Sequence, residues 1–300
     1  MKIAMLSGGV GGARFARGLS TLDVETTVIV NVADDLEVYG VTVCPDIDTV
    51  LYTLAGVEGP EGWGRAGDTW SLMETLSEWG EDVSFRVGDR DMAMCLYRTE
   101  RLRRGIPLCE VTAQAAAALG VRTEVVPATD DRLRTWVRTE LGWMDFQTYF
   151  VRRGHRDRVS EIRFEGSEIA AVCARASEAL RRADLIVIGP SNPLVSIHPI
   201  LAVRGVRELV EGRRPVVAVS PLKRGRAFRG PAADLLASLG HPPGIAGVLA
   251  AYRGLVTHLV VDPEEPDVAA DDVELLRTDI DIRSPERARR LAWEILKWVN

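Results

Sequence analysis

The sequence predicts an α/β fold: a Rossmann-like, doubly wound and mostly parallel sheet with a largely helical insertion. Two observations favour it. The chain opens with the apolar runs "KIAMLSG" and "TTVIVNVADD", which are separated by a segment that suits a helix. The same alternation returns later, where "ADLIVIG", "RRPVVAVS" and "LVTHLVVDP" alternate with helical segments. Between the two halves lies a stretch with mostly helical patterns.

Length and composition limit the function classes. A chain of 300 residues can form a single α/β domain over 1–300. A net charge of −6 argues against a general nucleic-acid binder. No apolar run approaches the roughly 20 residues that span a bilayer, and the N-terminus has no signal-peptide pattern, so we expect a cytoplasmic location. The four cysteines show no metal-binding or redox spacing, and the four histidines are scattered.

The first strand is followed by an unusual glycine turn. It matches neither G-x-G-x-x-G, whose third glycine would fall on Arg14, nor the Walker loop, whose second glycine would fall on Ala13. A glycine turn before a helix presents bare N–H groups that suit an anion, although a tight turn without a ligand is the alternative. The glycines in question are Gly8, Gly9, Gly11 and Gly12.

The second strand is followed by four aspartates within 15 residues, in "NVADDLEVYGVTVCPDIDT". Carboxylates at this density suit a hard cation such as Mg²⁺, which commonly bridges protein carboxylates and substrate phosphates. Alternatively, Asp46 or Asp48 caps the next helix, and Asp34 and Asp35 are solvated in a turn. A cap uses one carboxylate, so we predict a metal-binding or hydroxyl-binding role for at least two of them.

The middle of the chain predicts a mostly helical insertion over 57–145 that caps the ligand edge of the sheet. Residues 146–173 then suggest short, partly antiparallel strands. Trp63 and Trp70, in "GWGRAGDTW", could stack on a flat ring or belong to the core. The last helix begins at Pro285 with Ser284 as its cap, and its apolar spacing predicts that it packs on the sheet.

Two later strands also end in polar loops. "GPSNPLVS" places Ser191, Asn192 and Ser196 before a helix, where they could bind a nucleotide or, for Ser196, cap that helix. "PLKRGRAFRGP" is a basic cluster that suits a phosphorylated or acidic substrate, or else forms a solvated face. Its cations are Lys223, Arg224, Arg226 and Arg229. Because ligands bind at the carboxyl ends of strands in such sheets, these loops are expected to converge.

Together these segments resemble the 2-phospho-L-lactate transferase family (CofD/FbiA) of coenzyme F420 biosynthesis. The resemblance runs in order from Met1 to about Asp262. It rests on "GGVGGARFARGL", "NVADDLEVYGVTVCPDIDTVLYTLAG", "GWGRAGDTW", "GDRDMAMCLYRTERLRRG", "GPSNPLVSIHPILAV" and "GPAADLL".

The resemblance implies a reaction in which the deazaflavin Fo attacks a guanosine diphosphate-linked donor through its ribityl hydroxyl. A phospho-organic acid is transferred, GMP leaves, and Mg²⁺ is required. The implied roles are diphosphate binding by the four glycines, and metal or ribityl-hydroxyl binding by Asp34 and Asp48, with Asp35, Asp46 and Asn31 nearby. Ser191 and Asn192 would bind the guanosine side, Trp70 would flank the deazaflavin, and Lys223 would contact the donor. A cytoplasmic homodimer is also implied.

The chain departs from the family pattern in two places, and two rival functions remain. Met94 and Cys95 stand where the family usually has Thr-His, and the segment around Lys223 and Arg224 is more basic. One rival is a regulatory protein like gluconeogenesis factor YvcK, which shares the glycine opening. The other is an NAD(P)-dependent oxidoreductase. Asn31 at the end of the second strand, where that class needs an acid, and the broken glycine fingerprint argue against it.

Overall fold

A computed structural model describes residues 1–228, 230–270 and 272–299, and Arg229 of the predicted basic cluster lies outside them. The strands are β1 (Lys2–Ser7), β2 (Glu25–Val30), β3 (Leu36–Val38), β4 (Val41–Val43), β5 (Glu124–Pro127), β6 (Arg134–Thr139), β7 (Gly142–Asp145), β8 (Glu161–Glu165), β9 (Leu185–Ile188), β10 (Val216–Val219), β11 (Leu222–Lys223), β12 (Arg226–Ala227), β13 (His258–Val261) and β14 (Glu274–Arg277). The helices are α1 (Gly9–Ser20), α2 (Pro45–Ala55), α3 (Ser71–Glu78), α4 (Asp89–Arg103), α5 (Leu108–Ala118), α6 (Ala174–Arg182), α7 (His198–Ala202), α8 (Val206–Val210), α9 (Ala232–Ser238), α10 (Ile245–Ala251) and α11 (Pro285–Val299).

The central sheet has seven strands in the order β14-β13-β10-β9-β1-β2-β5, and every neighbouring pair is parallel. The chain starts in the middle at β1, moves outward to β2 and β5, and then returns beside β1 at β9. Leu6 therefore lies between Ile29 on one side and Ile188 on the other. This is the strand order of a doubly wound fold, so the predicted fold class is confirmed. The direction of winding reverses between β1 and β9.

The central strands are continuous apolar runs because helices cover both faces of the sheet. Every residue of β9 and β10 is buried, as is every residue of β1 after Lys2. One apolar core extends from Ile3 in β1 to Leu296 in α11. The four cysteines are free and buried. In the part of the chain that the structure describes, no helix is long and apolar enough to cross a membrane.

The C-terminal helix α11 forms as predicted, but it packs chiefly against α1, whereas the prediction placed it on the sheet. Ser284 stands before its first turn and accepts a hydrogen bond from Arg287 N–H at 3.3 Å. At Gly18 of α1 the two helices touch so closely that a Cβ would lie 2.4 Å from the Ala288 carbonyl oxygen. Helix α1 is thus held between the sheet and the C-terminal helix.

The helical insertion is shorter than the predicted range of 57–145. Its helices, α3 to α5, end at Ala118, whereas β5 joins the central sheet beside β2. Strands β6 and β7 form an antiparallel sheet with β8, because "RTWVRT" alternates buried and more exposed side chains. Residues Thr148–Arg152, expected in a strand, form a π-helical turn.

The insertion has its own small core and reciprocal helix caps. Its buried side chains come from β4, from α3 and α4 and from the segment before α4: Val41, Val43, Met73, Val87, Met92 and Cys95. Asp68 accepts hydrogen bonds from Arg90 N–H and Asp91 N–H at the start of α4. Asp89 in turn accepts from Ser71 N–H and Leu72 N–H at the start of α3. The segments "GRAGDTW" and "GDRDMAM" therefore fix each other's helices.

Candidate functional site

Three polar loops meet where the winding of the sheet reverses. They follow the carboxyl ends of β1, β2 and β9 and contain residues 7–12, 31–35 and 189–196. Ser191 Oγ joins two of them, because it accepts a hydrogen bond from Gly8 N–H at 3.1 Å and donates one to the Gly8 carbonyl at 2.7 Å. The predicted convergence of polar loops is confirmed for these three.

The glycine turn lacks side chains because other loops press against it. A Cβ at Gly8 would lie 2.6 Å from Ser196 Cβ, and one at Gly11 would lie 2.2 Å from the Pro190 carbonyl oxygen. A Cβ at Gly12 would lie 2.2 Å from Ser7 Oγ. Gly9 differs, because it has room for a side chain but a φ of +61°, which disfavours one. Close packing thus accounts for three of the glycines, and backbone conformation for the fourth.

Two of the amides predicted to bind diphosphate already have protein partners. Gly8 N–H donates to Ser191, and Gly9 N–H donates to Asp46 Oδ1 at 2.8 Å. The first N–H groups of a helix have no acceptor within it, so Val10 and Gly11 are the half-buried amides left to meet an anion. Diphosphate binding at this turn stays a prediction.

Asp46 is held by the glycine turn and by Asn31. Asn31 Nδ2 donates to Asp46 Oδ2 at 3.0 Å, and Asn31 Oδ1 accepts from Ala33 N–H at 3.0 Å. Burial raises the pKa of Asp46 to about 6 despite these hydrogen bonds. Asn31 therefore links the end of β2 to the start of α2, which is a positional role that the sequence did not reveal.

Asp34 and Asp35 lie beside Asp46 and are buried without full compensation. The Oδ1 atom of each has no hydrogen-bond partner among the described residues. Burial raises the pKa of Asp35 to about 7. It also raises the pKa of Asp34 well above its usual range, and repulsion from Asp46 and Asp35 adds to this. Both residues line a cleft of about 180 Å³, whose opposite side includes Arg134 and Trp136.

Asp48 lies in a different set of contacts. Its carboxylate forms a buried ion pair with Arg98 of α4. Burial raises the pKa of Asp48, and the guanidinium opposes that rise. One turn further along α2, Tyr52 O–H donates to Asp91 Oδ1 at 2.6 Å. Asp34 and Asp48 were predicted as a metal-binding pair. In the structure Asp48 is paired with a guanidinium, whereas Asp34 has a carboxylate oxygen without a hydrogen-bond partner in the described part of the chain.

The donor set fits a divalent cation in part. Within the described positions, no three histidine, cysteine or acidic side chains already form a metal cage. Mg²⁺ usually takes one or two protein carboxylates and completes its shell with water and phosphate oxygens. Asp34 and Asp35 have the unpartnered oxygens that such a cation prefers, whereas Asp48 is already paired with Arg98.

In the loop after β9, most polar groups of the predicted residues bond to the protein itself, and few are left to bind a ligand. Ser191 is buried against Gly8. Asn192 Oδ1 accepts from Leu194 N–H at 3.0 Å and from Val195 N–H at 3.4 Å, so it caps the π-helical turn Pro193–Ile197. Its side chain is half-buried, and its Nδ2 group has no partner among the described residues. Of Ser191 and Asn192, therefore, only Asn192 has a side-chain donor available to bind a ligand, its Nδ2 amide.

The other residues that the sequence singled out before β5 lie in the helical insertion. Trp70 is 38% exposed and stacks under the Arg86 guanidinium at 4.4 Å. Arg65 lies 5.6 Å from the centre of the Tyr52 ring. Met94 packs on the main core, and Cys95 is buried in the core of the insertion. The structure gives neither a polar role.

The basic segment after β10 is paired with an acidic loop after β13. Lys223 Nζ lies 2.9 Å from Asp262 Oδ2, and Arg224 Nε lies 2.8 Å from Glu264 Oε2. Both cations therefore have intramolecular partners. Residues that the sequence analysis missed are Arg98, Tyr52 and Asp91. The helical spacing of Asp91 and Arg98, seven positions apart, was the available signal.

Comparisons with known proteins identify related transferases and a solved structure with the same fold. A model of the family described as 2-phospho-L-lactate transferase CofD matches residues 3–291. The chain is 39% identical to the 2-phospho-L-lactate transferase of Methanopyrus kandleri, with 100% of this chain and 98% of that protein covered. It is also 39% identical to the phosphoenolpyruvate transferase of Streptomyces coelicolor, with 94% of each covered. A UPF0052 family protein from Bacillus halodurans shares the fold, with a TM-score of 0.64, 20% identity and 98% of each chain covered.

Proposed function

Because this chain belongs to the 2-phospho-L-lactate transferase family, we propose that it transfers a phospho-organic acid to the deazaflavin Fo in coenzyme F420 biosynthesis. The donor is a guanosine diphosphate whose terminal phosphate carries lactate, enolpyruvate or glycerate, and GMP is released. We further propose that it acts in the cytoplasm as a homodimer. Relatives are named both as 2-phospho-L-lactate and as phosphoenolpyruvate transferases, so the class of acid stays open.

The proposed step exchanges one phosphorus–oxygen bond for another. The terminal ribityl hydroxyl of Fo attacks the phosphorus that carries the organic acid. The bond between this phosphorus and the bridging oxygen breaks, GMP leaves with that oxygen, and the hydroxyl proton is released. Such transfers depend mainly on positioning and charge neutralisation, so they need no histidine or cysteine nucleophile.

The observation that carries the proposal is the group of buried, unpartnered carboxylate oxygens beside the glycine turn. Asp34 and Asp35 lie next to Asp46, which is itself bonded to Gly9 N–H. Arg134 compensates these carboxylates only in part. Buried carboxylates with incomplete compensation cost stability, so their presence at the carboxyl edge of the sheet supports a site that receives positive charge.

Each group has a proposed role. Asp34 and Asp35 would hold Mg²⁺, which when bound would neutralise charge on the donor phosphates. The free amides at the start of α1, Val10 and Gly11, would face the diphosphate. Asn192 Nδ2 would donate to the guanosine side, and Asp48 would orient the ribityl hydroxyl. Trp70 would flank the deazaflavin, once ligand displaces Arg86 from its ring.

Donor choice is proposed to depend on the basic segment after β10. Lys223 or Arg224 would exchange its acidic partner for the carboxylate or extra phosphate of the donor. Charge-removing substitutions at these two positions should change the ranking of the three donors. An unchanged ranking would reject this role.

Product mass tests the function directly. The purified protein is incubated with Fo, Mg²⁺ and each of the three guanylylated acids in separate reactions. We expect one donor to give Fo extended by its phospho-acid together with one equivalent of GMP, and chelation by EDTA to stop the reaction. Nucleotide binding without consumption of Fo, for all three donors, would instead favour the YvcK-like regulatory function.

A further inference from the structure

Arg98 is an arginine buried at the border between the insertion and the acidic site. Its side chain is 3% exposed and that of its partner Asp48 is 7% exposed. Arg98 Nη1 also donates to the Thr42 carbonyl at 3.2 Å. A guanidinium removed from water survives only where such partners compensate it, so its position in the fold is tightly specified.

Helix α4 meets α2 through one buried and one half-buried polar contact. Arg98 reaches Asp48, and Asp91 accepts the hydrogen bond from Tyr52. Asp48 and Tyr52 are four residues apart on α2, so they lie on one face of that helix. Asp91 and Arg98 are seven residues apart on α4 and likewise share a face. The two helices therefore dock through a matched pair of contacts.

The strand before α2 is tied to the same helix. Thr42 N–H of β4 donates to Thr99 Oγ1 at 2.8 Å, while the Thr42 carbonyl accepts from Arg98. Helix α4 thus holds both β4 and the first turn of α2. That first turn carries Asp46, which accepts from Gly9 N–H, and Asp48, which pairs with Arg98 of the insertion.

We propose that Arg98 is a positioning residue for the transfer reaction: it holds the Asp48 carboxylate in one orientation, so the geometry of the site depends on the docking of α4 against α2. This inference rests on the proposed function, in which Asp48 orients the acceptor hydroxyl. The planar guanidinium reaches Asp48 and Thr42 at once, which a lysine ammonium on its flexible stem reproduces poorly.

Kinetics of two Arg98 variants test the proposal. Arg98→Lys keeps the charge, and Arg98→Met keeps approximate length and removes it. Loss of a partner that orients a site group costs roughly 10–100-fold in activity. We expect kcat to fall within that range for Arg98→Met and less for Arg98→Lys, while KM for the guanylylated donor changes less than threefold.

Tyr52→Phe is the matched control. It removes the other α2–α4 contact, the hydrogen bond to Asp91, without touching Asp48. We expect its kcat to stay within about twofold of the wild type. Equal losses in Tyr52→Phe and Arg98→Met would show that docking in general, and not the hold on Asp48, sets the rate. That result would overturn the assignment.

A double-mutant cycle with Asp48→Asn separates positioning from mere structure. Once the carboxylate is gone, Arg98→Met should lower kcat no further. The same cycle measured on urea unfolding should show coupling between the two residues without reference to activity. Additive losses in both cycles would overturn the proposal.

The outcomes remain distinguishable when a variant folds poorly or the parent is inactive. If Arg98→Met does not fold, Arg98→Lys and the neutral pair Asp48→Asn/Arg98→Gln decide the question by the same criteria. A wild type that transfers nothing contradicts the proposed function. An active wild type whose folded Arg98 variants keep full kcat contradicts this inference alone.

Discussion

Two groups of aspartates follow strands of the same sheet, and their surroundings are opposite. Near β14, Asp281 accepts from Arg283 Nε through both carboxylate oxygens, at 2.9 and 3.0 Å, and from Arg287 Nη1 at 2.6 Å. Chiefly through the hydrogen bond from Arg283, the pKa of Asp281 falls to about 2. Near β2, Asp34 and Asp35 are also shielded from solvent, but there burial dominates and raises the pKa of both.

The opposite pKa shifts distinguish an acid whose charge stabilises the folded state from acids whose charge destabilises it. Asp281 is ionised more easily in the folded chain than in the unfolded one, so its charge favours folding. Asp34 and Asp35 are harder to ionise when folded, so their charge opposes folding. A chain that keeps such acids at the ligand edge of its sheet is expected to use them there. Three predictions test this comparison.

The largest expected effect is on activity. Asp34→Asn keeps the shape of the side chain and removes the charge that would hold Mg²⁺. We expect kcat to fall by roughly 10²–10³-fold, the usual cost of losing one charge-stabilising group in an active site. The measurement is Fo consumption at saturating donor.

Two controls accompany this variant. Asp281→Asn, in the paired group, should leave kcat within about twofold of the wild type. Asp34→Asn should keep or raise the midpoint of thermal unfolding, because it removes an uncompensated buried charge. Full activity in Asp34→Asn would show that the charge of this buried acid is not needed for the reaction.

The second prediction concerns the pH dependence of stability. The folded pKa of Asp35, about 7, lies above the ordinary aspartate value of 3.8. Between about pH 4 and 7 the folded chain therefore holds a proton that the unfolded chain has lost, and stability falls as pH rises. From pH 5 to 8 we expect a loss on the order of 2–3 kcal/mol from this group, since each pKa unit is worth about 1.4 kcal/mol.

Urea unfolding of the wild type and of Asp35→Asn across this range measures the effect. Relative to the wild type, the variant should lose a slope of that size, while Asp34 and Asp46 keep theirs. Saturating Mg²⁺ should stabilise the wild type more at pH 8 than at pH 5, because protons compete with the cation. If the free energy of unfolding depends on pH identically in the two proteins, the pKa of Asp35 is not raised by burial.

The smallest effect is expected in the paired group. The folded pKa of Asp281 lies below its usual value, so its contribution is present above about pH 4 and is lost as pH falls toward 2. Arg283 and Arg287 are 74% and 47% exposed, so water screens the pairing. We expect Asp281→Asn to lower the free energy of unfolding by only about 1 kcal/mol at pH 7. A loss several times larger would show that water does not screen this pairing and that Asp281 stabilises the fold far more than an exposed ion pair does.

Much of the fold could be predicted from the sequence, because the signals are local. Strands buried on both faces must be apolar throughout, so β1, β2, β9, β10 and β13 stand out in the sequence. The limits of the insertion could not be predicted as well. Strand β5 has four residues and follows an alanine-rich helix, and only its pairing with β2 distinguishes it from a loop.

The sequence predicted which polar loops meet at the carboxyl edge of the sheet, but not the contacts that they make there. The glycine turn, Asn31, the aspartates and Ser191 do assemble at the carboxyl edge. The sequence did not show that Ser191 would occupy Gly8 N–H, or that Asp46 would occupy Gly9 N–H. It also placed Asp48 with Asp34 as metal ligands, before the structure paired Asp48 with Arg98.

By itself the sequence determined the type and order of the elements and the edge at which polar loops collect, because apolar periodicity, glycine and helix-capping chemistry act over a few residues. Tertiary structure alone decided which acid would be neutralised. Asp48 and Arg98 are 50 positions apart, and they meet only because α4 docks on α2. Asp34 and Asp35 stay only partly compensated, because the nearby Arg134 lowers their pKa by less than burial raises it.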